Sequence, residues 1–157
     1  MRQALATSVE LGARVHTPLY QGLLAELEGE GAGLAEASAR IEEALAQAQQ
    51  TGEHWGDPLL HRIRGDILLK ADPTNPALAE QAYLAAIAVA TEQGARSFGL
   101  LAALKLAKLY QSTARSVEAH DVLAPALEGF APTPEMPEIA EGQTLLAAFA
   151  QSRASQG

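Results

Sequence analysis

The chain has 157 residues, among them 33 Ala and 23 Leu, while Val, Ile and Thr together supply only 18. Strands draw on β-branched and aromatic side chains and helices on Ala and Leu, so the composition predicts an all-α protein. The absence of Cys excludes disulfides, thiolate metal sites and cysteine nucleophiles, and a net charge of −8 with 4% aromatics disfavours binding to nucleic acid or an anionic membrane. No apolar run reaches membrane-spanning length and no signal peptide is evident at Met1-Arg2-Gln3-Ala4, so a cytoplasmic location is expected.

The predicted elements recur. Residues 2–12 read as the end of a helix, Ala4-Leu5-Ala6 followed by Gly12. The same signature returns as Ala44-Leu45-Ala46 with Gly52 and as Ala86-Ile87-Ala88 with Gly94, and a fourth start, Ala126-Leu127, lacks the Gly. The starts lie 40, 42 and 40 residues apart. A Gly just past each helix suits the left-handed conformation that closes a last turn. Between these segments lies a second helical pattern with apolar residues at three-to-four spacing. Pro18–Glu28 carries Leu19, Leu23, Leu24 and Leu27; Asp57–Lys70 carries Leu60, Ile63, Ile67 and Leu68; Arg96–Tyr110 carries Leu100, Leu101, Leu104, Leu106 and Leu109.

Breakers separate the members of each pair: Gly29, Gly31 and Gly33 in the first, Asp72-Pro73-Thr74-Asn75-Pro76 in the second, Ser112 to Ser116 in the third. Asp57-Pro58 predicts an N-cap Asp before a Pro at the first helical position. Pro132, Pro134 and Pro137 interrupt the chain before a last helix, roughly Glu138 to Gln151, in a capping segment over about 135–151.

Small residues recur at fixed points. Ala25, Gly65 and Ala107 occupy one position of the first helix of each pair. Ala37, Ala79 and Ala119 in the second helix are each followed four residues on by Ile41, Tyr83 and Leu123, then by Ala44, Ala86 and Ala126. Small side chains let two helices approach closely while the large one fills the space beside them.

This small–large–small set resembles the tetratricopeptide repeat, with Gln21, His61 and Ala103 where that family carries an early Trp. The resemblance implies a right-handed α–α superhelix of about three helical hairpins in a single domain, with a half repeat at 2–12, repeats at about 15–52, 57–94 and 96–130, and the capping helix. The strings LHRIRGDILL (60–69), QGARSFGLLAALKLAKLY (93–110) and EAHDVLAPALEGF (118–130) are similar to the C-terminal helical array of bacterial regulators that pair a class III adenylate/guanylate cyclase or DNA-binding domain with a signal-transduction ATPase module. Ala131-Pro132-Thr133-Pro134-Glu135 departs from that array's more Gly- and Asp-containing turn. The resemblance implies a non-catalytic region that senses or binds partners. Because residues 2–12 begin in mid-repeat, the chain is expected to be a fragment of a longer protein.

No catalytic, cofactor or metal residue stands out. His16, His54, His61 and His120 form no His-Glu-x-x-His string and read as solvated or interhelical. The glycines at 29, 31 and 33 follow no strand and precede no Gly-Lys-Ser/Thr, Glu42-Glu43 reads as a solvated helical face, and no G-x-S-x-G surrounds a serine. Trp55, the single Trp, is expected to pack over the next helix.

Charge is unevenly placed. Segment 57–71 is net +1 and segment 96–112 net +3, leaving −12 for the other residues. The resemblance puts first helices on the concave surface, which makes Arg62, Asp66, Leu101, Lys105 and Lys108 groove candidates, with Lys70 and Gln111 farther along. Such a groove would hold a protein or peptide, acidic in character, or a neighbouring domain of the parent chain. The opposing expectation is that these cations pair with acids of adjacent helices such as Glu26 or Glu80. A small-molecule sensor acting on an adjacent ATPase or cyclase is the alternative function, and a homodimer through the face of 2–12 is a further expectation.

Overall fold

A computed structural model describes residues 17–30 and 33–155, and those residues are all-helical. Among the described residues seven helices follow one another: α1 (Thr17–Gly29), α2 (Leu34–Thr51), α3 (Asp57–Ala71), α4 (Ala77–Gln93), α5 (Arg96–Ser112), α6 (Ser116–Leu127) and α7 (Pro137–Ala154). Among the described residues there is no strand, only one isolated antiparallel bridge between Thr133 and Met136 in the proline-rich turn before α7. No helix among them is long and apolar enough to cross a membrane. The signature at Ala4-Leu5-Ala6 and Gly12, the half repeat 2–12 and the interface assigned to it lie outside the described residues, as does His16.

Local chemistry sets the helix ends. Gly52 and Gly94 take left-handed conformations, φ 75° and 66°, and their N–H groups close the last turns of α2 and α4 on Ala48 and Thr91. Arg115 N–H reaches back to Tyr110 C=O at 2.8 Å and closes α5 in the same way, but Ala114 occupies the left-handed position with φ 60°. At the end of α3 the Asp72 carboxylate accepts from the Thr74 N–H and hydroxyl, which shapes the turn before Pro76. One expected cap differs. Gly56 is the N-cap of α3, and Asp57 lies inside the first turn with its carboxylate 2.9 Å from His54 Nδ1. The turn His54–Gly56 brings the chain round one residue early, so the aspartate serves the helix by its charge near the N-terminus.

Each helix packs on the next, and α1, α3, α5 and α7 also touch in sequence, whereas α2, α4 and α6 do not touch one another. The odd-numbered helices thus form a continuous layer, and the even-numbered helices lie across it in separate ridges. The repeated small positions carry this packing. Ala25, Ala37, Ala44, Ala86, Ala107 and Ala119 are all 0% exposed, and Ala79 is buried with them. Gly65 is buried, while Ala126 is half-buried. Ile41, Tyr83 and Leu123 fill the space beside them, each 1% exposed or less. A Cβ on Gly65 would stand 2.5 Å from Tyr83 Cε1, so the absence of a side chain lets the phenol ring lie flat against α3.

The apolar interior divides in two. Ala25, Ala37, Ile41, Leu60, Ile63 and Ile67 join α1, α2 and α3. Tyr83, Leu100, Leu104, Leu106, Leu123 and Phe149 belong to the second cluster, which runs from α4 to α7.

Candidate functional site

A cleft of about 500 Å³ opens on the layer of odd-numbered helices, where the C-terminal halves of α1, α3 and α5 lie side by side. Ile63, Ile67, Leu109 and the Tyr83 ring line it, all buried, and the prolines of the α3–α4 turn, Pro73 and Pro76, wall one end. Its rim is charged: Glu26 from α1 and Glu30 just past its end, Asp66 and Lys70 from α3, Lys105 and Lys108 from α5, with Ser112 and Thr113 beyond. Three-to-four spacing puts each set on one face of its helix, and the 40- and 42-residue repeat offsets bring 26, 66 and 108 to one level and 30, 70 and 112 to the next.

At the centre lies a polar network. Arg62, 9% exposed, donates from Nη2 to Glu26 Oε1 and from Nη1 to Asp66 Oδ2, both at 2.8 Å. Asp66 also accepts the Tyr83 hydroxyl at 2.6 Å and faces Lys105 Nζ at 3.5 Å. Burial, and then the Asp66 carboxylate, push the Tyr83 phenol well above its ordinary value, so it stays a neutral donor. Lys70 Nζ donates to Gly29 C=O at 3.2 Å, satisfying an end carbonyl of α1. Lys108 meets Glu141 of α7 at 2.5 Å, with both side chains close to half exposed.

Of the residues expected in a groove, Asp66, Lys70, Lys105 and Lys108 line this cleft. Arg62 lies beneath its rim, held by two carboxylates, and Leu101, half-buried, and Gln111, exposed, are not among the lining residues. Glu26 does pair with a cation of the neighbouring helix, as one of the two readings of the charges expected. The cleft roles of Glu30, Tyr83, Ser112 and Thr113 escaped the sequence reading, although the repeat register that aligns Glu30 with Lys70 and Ser112 was there to find them.

A second polar cluster sits outside the cleft. Arg115 stacks on the Tyr110 ring at 4.1 Å, pairs with Glu80 at 2.8 Å and with Glu118, while Tyr110 donates to Glu80 at 2.8 Å. The Arg115 bonds chiefly, then the Tyr110 hydroxyl, hold the Glu80 carboxyl below its usual range, and burial leads the rise of Tyr110 to about 12. These contacts pin α4, α5 and α6 together. His61, its Nδ1 buried with no hydrogen-bond partner in the structure, is kept below its ordinary value by burial. Trp55 stands 44% exposed in the turn between α2 and α3.

No group of three or more His, Asp or Glu positioned to hold a metal ion occurs among the described residues. No protein-family profile, curated protein or solved structure matches the chain.

Proposed function

We propose that this chain is a non-catalytic binding module of tetratricopeptide-like design, a right-handed superhelix of helical hairpins that holds a segment of another protein, or of a neighbouring domain, within a bacterial cytoplasmic regulator. The single observation that carries the reading is the cleft across α1, α3 and α5, where a buried apolar floor lies inside a rim of carboxylates and ammoniums. Contact among odd-numbered helices without contact among even-numbered ones supports a stack that curves toward the cleft side. Such a surface binds by shape and a few fixed anchors and needs no covalent chemistry.

Acidic peptides titrated at low and moderate salt test this reading. Binding should weaken with salt and fall in the Lys105→Ala/Lys108→Ala double variant; affinity indifferent to both would remove the cleft as the site. A second reading, a small-molecule sensor, has its own support, since about 500 Å³ lies within the range of small-ligand pockets. A single metabolite that raised the melting temperature without any peptide would favour it.

A further inference from the structure

The cleft is electrically polarised across the helices, and this decides what kind of segment it takes. On the cleft face the end of α1 and the turn after it contribute two carboxylates, Glu26 and Glu30; α3 contributes Asp66, braced from beneath by Arg62, and Lys70; α5 contributes two ammoniums, Lys105 and Lys108. Formal charge along the rim thus climbs from −2 at the end of α1 through 0 on α3 to +2 on α5. The internal pairs leave both ends available. Glu26 takes one bond from Arg62 and keeps its second oxygen, with its side chain 32% exposed. Lys105 approaches Asp66 only to 3.5 Å and is 45% exposed, and Lys108 has a partly exposed partner in Glu141 that a ligand can displace at small cost.

We propose that the occupant of this cleft is a dipolar peptide segment, extended across the helices, with a basic residue seated at Glu26 and Glu30 and an acidic residue seated at Lys105 and Lys108. The inference rests on the binding-module reading above and specifies its ligand. Helices packed about 8–10 Å apart put α1 and α5 about 16–20 Å from each other. An extended chain covers that distance in about five or six residues. Apolar side chains between the two charged ones would meet Ile63, Ile67 and Leu109 on the floor. A uniformly acidic segment would set one of its carboxylates against Glu26 and Glu30, and like charges there oppose binding.

The test uses the full chain and end-blocked, dye-labelled hexapeptides with identical apolar interiors. Two are dipolar, with Lys at one end and Glu at the other in either chain direction; one carries Glu at both ends and one Lys at both. By fluorescence anisotropy the better dipolar peptide should bind about tenfold more tightly than the diacidic or the dibasic one. The Lys105→Glu/Lys108→Glu variant should turn the preference toward the dibasic peptide, and Glu30→Lys should turn it toward the diacidic one. Retained helicity by circular dichroism keeps both comparisons valid, and Lys105→Gln/Lys108→Gln serves if the reversal unfolds the chain, with the dipolar advantage expected to vanish. A diacidic peptide that binds as tightly as the dipolar one overturns the polarity while leaving the cleft a peptide site. No binding by any of the four overturns both.

Discussion

Gly65→Ala adds one methyl group and is expected to be among the most damaging small substitutions in this chain. The new Cβ would stand 2.5 and 2.7 Å from Tyr83 Cε1 and Cδ1 and 3.0 Å from Cζ. Carbon atoms rest at about 3.5–4.0 Å, so the ring would have to retreat by about 1 Å. Tyr83 is 1% exposed, and overpacking of this kind costs about 1–3 kcal/mol. Retreat also stretches the 2.6 Å bond from its hydroxyl to Asp66, a hydrogen bond to a charged group worth about 1.5–3 kcal/mol. Better helix propensity returns about 1 kcal/mol, leaving a net loss of about 2–4 kcal/mol. The control is Gly99→Ala in α5, whose Cβ would meet only Ala90 Cβ at 3.4 Å. Propensity should prevail there, and the variant should gain about 0.5–1 kcal/mol. Thermal unfolding followed by far-ultraviolet circular dichroism should place the Gly65 variant about 5–15 °C below the parent and the Gly99 variant slightly above it. The repeats supply a rescue: Ala25 shares a core cluster with Ile41, and Ala107 with Leu123, at the repeat positions that Gly65 and Tyr83 occupy, so Tyr83→Leu should restore part of the loss in the Gly65→Ala background. If Gly65→Ala and Gly99→Ala melt together, the close approach of α3 and α4 does not depend on the missing side chain, and the packing argument fails.

Three further outcomes follow from the same geometry. Ala114→Gly should stabilise the chain by about 0.5–1 kcal/mol in urea denaturation, since Ala114 holds φ 60° at the position where Gly94 closes α4; unchanged or lower stability would show that no strain resides there. Arg62→Ala strands the Glu26 and Asp66 carboxylates and should cost about 2–4 kcal/mol, whereas Lys105→Ala should cost under about 1 kcal/mol; equal losses would mean that Arg62 is no more structural than the exposed lysine. Burial holds the His61 pKa below 6.5, with Asp57 and Glu42 favouring its charge and Arg64 opposing it, so the unfolded chain takes up the proton first as pH falls. The stability His61 contributes is therefore complete above about pH 7 and declines as pH drops through 6.5 toward the lower folded value. His61→Gln should flatten that decline in stability measured from about pH 7.5 to 5.5, and a parallel curve for the variant would refute it.

Much of the helical framework was legible before any coordinates. Ala and Leu at three-to-four spacing mark helices, and Gly52 and Gly94 stop them, because these are local effects of backbone conformation and one buried stripe. The Asp57 cap was misplaced by one residue because the turn His54–Gly56, not the Asp-Pro pair, sets where α3 begins. In the cleft, Lys70, Lys105 and Lys108 stood out as cations on first helices, and the resemblance to the tetratricopeptide repeat set Asp66 with them. That Glu26 takes a cation of a neighbouring helix was one of two open readings, and the packing of α1 on α3, which brings residues 36 apart together, decided for it and for Arg62.

Sequence alone determined that this chain is helical, where most of its helices stop, and which small residues repeat along it, because each depends on neighbours within a turn or two. Tertiary structure decided which charges remain open to a ligand. A lysine and an aspartate 39 residues apart, Lys105 and Asp66, neutralise or expose each other according to how closely two helices pack, and no periodicity within either helix records that distance.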